Sequence, residues 1–251
     1  MSSLRAITAD LHVHSCLSPC ATLDMTPMKI VAQAQLMKLA MIAVTDHNSA
    51  ENIGAVIGAA RDTDLVVIPG MEITTAEEAH ILGLFESLSG ALAMQELVYA
   101  RLQPGENDED LFGLQVVANE FDEVESMNNR LLLGATSLSV DEVVAAIIEY
   151  GGLAVAAHID RDSFSLISQL GFIPPDLELA GVGISRRYTL PEARERFPEY
   201  SKYTFLSTSD AHDLNQLGCN AATLRMEKPV FAEMKSALAG IDGREVIEEG
   251  C

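Results

Sequence analysis

Two histidines one residue apart, in the run Asp10-Leu-His-Val-His14, constrain this chain more than any other feature. If residues 6 to 13 form a strand, alternation points His12 and His14 to the same face, where both imidazoles can grip one metal ion. Ile7-Thr8-Ala9 supports the strand, and Ser15-Cys16-Leu17-Ser18-Pro19 reads as the loop that ends it. The pair then sits at a strand's C-terminal end, where α/β folds keep their chemistry. Two partly exposed strand histidines would give the same five residues, so the distribution of the others decides. All six histidines of the chain lie at or next to the end of a strand-like run: after the first pair come His47, His80, His158 and His212.

The rest of the pattern alternates strands with helices. Thr26-Pro27 opens a helix, with Thr as N-cap and Pro at the first helical position. Met41-Ile-Ala-Val-Thr45 is a strand buried on both faces, ending in Asp46-His47-Asn48. A helix over about 50 to 61 precedes a strand from Asp64 to Gly70 that delivers Glu72, and an apolar strand follows from His80 to Phe85. This rhythm predicts a largely parallel sheet or barrel. It breaks at residues 87–137, which hold an amphipathic helix, an acidic loop and strand-like runs around Gln115-Val-Val117 and Arg130-Leu-Leu-Leu133. That stretch reads as an insertion over the barrel mouth, either shaping substrate access or decorating the surface. The rhythm resumes with the capping-box pattern Ser139-Val-Asp-Glu142. Strands then lead to His158, to Ser185-Arg186 and to Asp210 and His212, and a strand near 222–226 closes the sheet. The whole chain, 1–251, reads as a single domain.

Composition sets limits. At 251 residues and 48% hydrophobic the chain buries a full core. Sixteen Lys and Arg against 37 Asp and Glu give a net charge of −21, which repels polyanions at long range. The expectation is no broad groove for duplex DNA, although bound divalent ions would make a local patch positive and admit a small phosphorylated substrate. No leader and no apolar run of membrane-spanning length is evident, so the expectation is a cytoplasmic protein without membrane contact. Of the cysteines Cys16, Cys20, Cys219 and Cys251, the first two then read as thiols or ligands rather than as a disulfide.

The strand ends together present His12, His14, His47, Glu72, His80, His158, Asp210 and His212. Six imidazoles and two carboxylates exceed one tetrahedral zinc and suit two or three ions. Glu72, with two oxygens, suits a bridge between two of them, and a hydroxide held by such a pair is a nucleophile at neutral pH because coordination lowers the pKa of water to about 7.

The ordered motifs Asp10-Leu-His-Val-His14, Thr45-Asp-His47, Pro69-Gly-Met-Glu72, His80, Ala157-His158 and Ser209-Asp-Ala-His212 resemble those of the PHP (polymerase and histidinol phosphatase) family. The string Ser15-Cys-Leu-Ser-Pro-Cys20 with Met25-Thr-Pro27 resembles its stand-alone bacterial phosphoesterase branch. The resemblance implies a distorted (β/α)7 TIM-like barrel with zinc, manganese or iron at its C-terminal face. It implies a first ion on His12, His14, Glu72 and Asp210, a second sharing Glu72 with His80 and His158, and a third on His47 and His212. Where the family supplies a further His or Asp for the third ion, this chain has Cys20, and Cys20 and Asp24 are the two candidates for that place. Asp46 stands to orient a ligand imidazole, relay a proton or cap a helix; Asp210 and His212 stand beside the reaction; Arg161 and Arg186 are candidates to hold a phosphate.

The function implied is hydrolysis of a small phosphomonoester or nucleotide, with a short oligonucleotide also in reach, through a metal-bound hydroxide. An amidohydrolase-like enzyme cleaving C–N or C–O bonds with the same cluster is one alternative, and a non-catalytic, metal-stabilised PHP module is the other.

Overall fold

The computed structural model describes residues 3–248, and β1 (Arg5–Val13) organises it. Helix α1 (Pro27–Leu36), strand β2 (Met41–Val44), helix α2 (Ile53–Ala59) and strand β3 (Val66–Thr74) follow, with β2 parallel to β1 and β3 parallel to β2. All four residues of β2 are buried, as its uninterrupted apolar run requires. Gly70 in β3 is needed where it stands, because a Cβ there would come within 2.7 Å of Thr45 Cγ2 and 2.9 Å of the Val44 carbonyl.

Strand β4 (His80–Phe85) runs antiparallel to β3. The parallel expectation fails here for a simple reason. Only residues 75–79 link the two strands, closed by a Thr75 N–H to Ala79 O bond of 2.9 Å, whereas a parallel crossover needs a dozen residues or more. Reversal places His80, the first residue of β4, beside the last residues of β3.

Then come α3 (Leu88–Arg101), the short α4 (Glu109–Phe112) and a separate ribbon of β5 (Val116–Ala118) and β6 (Val124–Met127). The run Arg130-Leu-Leu-Leu133 is not a strand. β5 takes β6 as its partner because Asn119 closes the intervening turn, its Oδ1 accepting from the N–H groups of Phe121 and Glu123. Helix α5 (Val140–Glu149) opens with both bonds of the Ser139–Glu142 capping box. β7 (Gly152–Ala156) is antiparallel to β4, and α6 (Leu166–Leu170), β8 (Gly181–Ile184), α7 (Leu190–Arg196) and β9 (Phe205–Ser207) return to the parallel pattern. β10 (Ala222–Met226), α8 (Phe231–Leu238) and β11 (Glu245–Ile247) complete the described chain.

The nine-stranded sheet is ordered β11-β10-β1-β2-β3-β4-β7-β8-β9. β10 does not close it. Instead it pairs antiparallel with Arg5–Ala9, the lower part of β1, while the residues beyond β9 take the upper part: His14 N–H donates to Ala211 O at 2.9 Å and Ala211 N–H to His12 O at 3.2 Å. The result is a nearly closed barrel. Its strand ends on one side are drawn together by the same contacts that join β9 to β1.

Thr26 does not cap α1 with its own side chain. The carboxylate of Asp122, from the β5–β6 ribbon, accepts both the Thr26 hydroxyl (2.7 Å) and the Met28 N–H (2.8 Å), so a distant acid serves that helix end. No helix among the described residues is long and apolar enough to cross a membrane. Cys16, Cys20 and Cys219 are free thiols, and Cys251 lies outside the described residues.

Candidate metal centre

His12 and His14 project from the end of β1 with their Nε2 atoms 3.1 Å apart. Asp10, at 0% exposure two residues earlier, accepts the N–H groups of Ser209 (3.2 Å) and Gly218 (2.8 Å) and so pins the loop that carries Asp210 and His212 beside them. Asp210 Oδ1 lies 3.2 Å from His12 Nε2 and 3.1 Å from His14 Nε2, and Glu72 Oε2 lies 3.3 Å from each. Four donors around one ion with bonds of ~2.1 Å stand ~3.4 Å apart. These four buried atoms already hold nearly that spacing.

The other oxygen of Glu72 faces a second set. His80 Nδ1 is 2.9 Å and His158 Nε2 3.1 Å from Oε1. His47 Nδ1 comes within 3.2 Å of Oε2 yet makes no hydrogen bond, the arrangement of two atoms aimed at a common point rather than at each other. Metal-competent groupings among the described residues are His12, His14, Glu72 and Asp210; His47, Glu72 and His80; and His14, His47 and His212. The partition therefore differs from the one the family resemblance implied. His47 stands with Glu72 and His80 as well as with His212, His14 stands in two groups, and His158 approaches Glu72 without completing a group. The donor set is rich in imidazole and carboxylate, which suits zinc, iron or manganese.

Some of the chain's left-handed backbone lies here. His158 (φ 28°), Asn48 (φ 51°) and Asp210 (φ 51°) are three of the eight non-glycine residues with positive φ among the described residues, and of these three His158 departs most from what its side chain tolerates.

Electrostatics prepare the groups for cations. Burial pushes the Glu72 carboxyl up, but His80, His12 and His47 outweigh it and hold the group well below the usual carboxylate range. Asp210 is likewise held down by His12 and His14 against its burial. Burial and the neighbouring His14 push His212 down to about 4, and burial leads in lowering His47 and His158, so these imidazoles are neutral at pH 7. His14 goes the other way: against the effect of burial, hydrogen bonds to Asp210 and Glu72 raise it to about 10.

Behind the ligands lies a buried polar network built on Asp46, whose serine partners the sequence reading missed. Asp46 accepts from Ser15 N–H (2.7 Å), Ser15 Oγ–H (2.6 Å) and Ser18 Oγ–H (2.6 Å). Ser18 Oγ also meets His14 Nδ1 at 3.0 Å and accepts the His47 N–H at 3.2 Å. A serine hydroxyl has one proton, and the Asp46 carboxylate takes it. His14 must then donate from Nδ1, which turns Nε2 toward Glu72 and Asp210, where a cation would have to displace its proton. Asp46 thus acts on His14 through Ser18, and it makes no helix cap. The signal in the sequence is the short Ser15-Cys-Leu-Ser18 loop, whose two hydroxyls only a fold can bring to Asp46.

The remaining candidates divide. Arg161 contacts Asp210 Oδ2, which puts a guanidinium at the cluster. Arg186 is exposed past the end of β8, and no ion pair or hydrogen bond ties it to the cluster. Cys20 is exposed and belongs to none of the metal-competent groups. Asp24 is exposed and ion-paired with Lys29. Residues 116–134 are stitched to the loops of this end of the barrel: Asn52 Nδ2 donates to Ser15 Oγ and to Val116 O, and Asn48 Nδ2 donates to the carbonyls of Leu132 and Gly134.

Residues 10–120 match the PHP domain, which bears out the resemblance seen in the motifs; His158, Asp210 and His212 lie beyond the matched stretch. No curated protein sequence matches the chain. Among solved structures, the lesion-specific endonuclease PfuEndoQ from Pyrococcus furiosus superposes with a TM-score of 0.75 at 18% identity, over 96% of this chain and 58% of that one. Endonuclease Q bound to a 27-mer duplex with an abasic lesion at its active site gives 0.71 at 17% identity, over the same 96% and 58%. A proposed metal-dependent phosphoesterase from Bifidobacterium adolescentis gives 0.56 at 21% identity, over 81% of this chain and 87% of that one. An amidohydrolase from Chromobacterium violaceum gives 0.60 at 18% identity, over 92% and 96%. At these identities the likeness concerns the fold, and this chain spans little more than half of the endonuclease Q chains.

The exclusion of duplex DNA drawn from net charge is overturned by these structures, because the same barrel fold receives a duplex at its active site in endonuclease Q. The physical error lies in averaging. A charge of −21 counts the whole surface, whereas a phosphate meets the local field, set here by Arg161 and by whatever cations the cluster holds.

Proposed function

Taking the PHP-domain match as premise, we propose that this protein is a metal-dependent phosphoesterase that hydrolyses a small phosphomonoester or nucleotide at the mouth of the barrel. One observation carries the reading: Glu72 stands between two sets of imidazoles, one at 3.2–3.3 Å from Oε2 and the other at 2.9–3.1 Å from Oε1. That is the layout of a carboxylate shared by two cations, which when bound supply Lewis acidity toward phosphoryl oxygens and lower the pKa of a coordinated water.

The chain's own residues supply the rest. Arg161, now against Asp210, has the reach and the fixed charge to take a phosphoryl oxygen, two N–H donors at a time. Asp210 keeps Oδ1 on the imidazole pair and Oδ2 on Arg161, and so fixes the guanidinium beside the cluster. His212, held neutral, serves as a ligand rather than as an acid. The ribbon of residues 116–127, tied through Asn52 to the β1 loop, borders the entrance and limits what enters.

Purified protein reconstituted with zinc, manganese or iron is to be assayed against p-nitrophenyl phosphate, nucleoside monophosphates, short oligonucleotides, a duplex with an abasic site, and a panel of lactones and amides. Metal-dependent release of phosphate or cleavage of a phosphodiester supports the reading. Bound metal with turnover confined to lactones or amides, or with no turnover at all, refutes it.

A further inference from the structure

The loop between β7 and α6 carries a residue whose side chain and backbone are at odds. Phe164 has φ 56°, in the left-handed region, where Gly or Asn sits without strain and a bulky side chain does not. The residue is also 43% exposed, so apolar surface meets water. The backbone alone does not account for the choice. The Phe164 carbonyl accepts the His80 N–H at 2.8 Å, anchoring the loop to the start of β4, but any residue in this conformation would offer the same carbonyl. What only the phenyl ring adds is a stack on the imidazole of His80, with centroids 4.8 Å apart and planes 21° from parallel.

The ring stacks on His80, a member of the candidate metal centre, and the residue keeps enough exposed surface for a second ring to cover. Three residues earlier on the same loop, Arg161 reaches Asp210. The loop thus presents a fixed cation toward the cluster and, three residues on, an apolar ring stacked on one of the candidate ligands. A ring held this way loses little freedom when a second ring is laid on it, and stacking is indifferent to the pattern of polar edges.

We propose that Phe164 is a stacking platform for a flat heteroaromatic ring, a nucleobase, in the part of the ligand that leaves the phosphate, with Arg161 beside the phosphate itself. The proposal deepens the phosphoesterase reading and rests on it for the orientation of the ligand. The ring on His80 selects the alcohol side of the ester. The metal cluster and Arg161 are blind to that side.

The test is by binding, so that it stands apart from turnover. Metal-loaded wild-type protein and Phe164→Asn are titrated calorimetrically with adenosine 5′-monophosphate, with inorganic phosphate and with a short single-stranded oligonucleotide bearing a terminal phosphate. Asn suits the left-handed backbone, so the variant is expected to melt at the same temperature or a few degrees higher and to keep its metal content, while its Kd for a base-bearing probe rises roughly tenfold and its Kd for phosphate changes less than twofold. Loss confined to the mononucleotide identifies a free nucleotide as the source of the base, and loss confined to the oligonucleotide identifies a strand end; both support the proposal. Equal weakening of all three probes, or loss of metal from the variant, makes the ring a prop for His80 and overturns it, as does unchanged binding of both base-bearing probes. If wild-type protein hydrolyses no phosphoester, the phosphoesterase reading fails while these binding comparisons still decide the platform.

Discussion

Ser18→Ala isolates the buried network behind the metal centre. In the folded protein the Ser18 hydroxyl gives its proton to Asp46 at 2.6 Å and receives the His14 Nδ1 proton at 3.0 Å. Alanine removes the only acceptor for that N–H and one of three donors to Asp46. His14, at 0% exposure, cannot turn to water for a replacement. A hydrogen bond involving a charged group contributes about 1.5–3 kcal/mol, and loss of the group that orients a ligand histidine costs about 10–100-fold in metal affinity, equivalent to about 1.4–2.7 kcal/mol. The two routes agree, so the affinity for the ion at His12, His14, Glu72 and Asp210 is expected to fall 10–100-fold, read by competition with a chromogenic chelator. Ser185→Ala is the matched control. Ser185 makes the same two-bond contact with a buried carboxylate, N–H to Asp160 Oδ1 at 2.9 Å and Oγ–H to Oδ2 at 2.6 Å, but has no bond to a ligand imidazole. It should lower the melting temperature while leaving metal affinity within about twofold. Wild-type affinity in Ser18→Ala, or an equal loss in Ser185→Ala, refutes the argument.

Other outcomes follow from the same geometry. Glu72→Gln keeps the shape but not the shared negative charge, so metal content measured by mass spectrometry should fall by at least one ion per chain, with turnover lost as well. Chelation should lower the melting temperature, because an ion at 100 times its Kd adds about 2.7 kcal/mol to stability; unchanged melting would mean that the cluster binds nothing. His14 is raised to about 10, so in the metal-free protein its charge contributes stability that is full below the ordinary value near 6.5 and fades as pH rises through about 10. A cation at Nε2 must displace that proton, and calorimetry in buffers of different ionisation enthalpy at pH 7.5 should show proton release on binding that His14→Gln abolishes. Asp122→Ala should cost about 1–2 kcal/mol in denaturant unfolding, since it removes both bonds at the start of α1.

What the sequence disclosed was whatever depended on local period. Alternation in β1 put His12 and His14 on one face, the apolar run at Met41–Val44 announced a strand buried on both sides, and Ser139–Glu142 announced a helix start. Residues at strand ends were visible as a set because a barrel gathers strand ends. The parts that stayed hidden are products of long-range closure. Ser18 gains its role only when Asp46 arrives from the next strand, and Asp122 serves a helix 94 residues earlier in the chain. Phe164 has its role only through its backbone angle and the stack on His80, neither of which local period carries. Arg130–Leu133 misled because an apolar tetrapeptide is equally at home in a packed turn, as the burial of Leu132 shows. Cys20 and Asp24 were candidates because their loop stands where the family supplies a further ligand, but position in a loop carries no direction, and the fold leaves both outside the groups of converging donors.

The account depends on the convergence of His12, His14, Glu72 and Asp210 on one point, with His80 and His47 gathered round the same glutamate. Anomalous diffraction from crystals grown with manganese or zinc tests this most directly. It should show at least two peaks roughly 3.5–4 Å apart, one among the first four side chains and one beside His80. A map whose peaks fall only on the acidic surface, with none within bonding distance of Glu72, would contradict it.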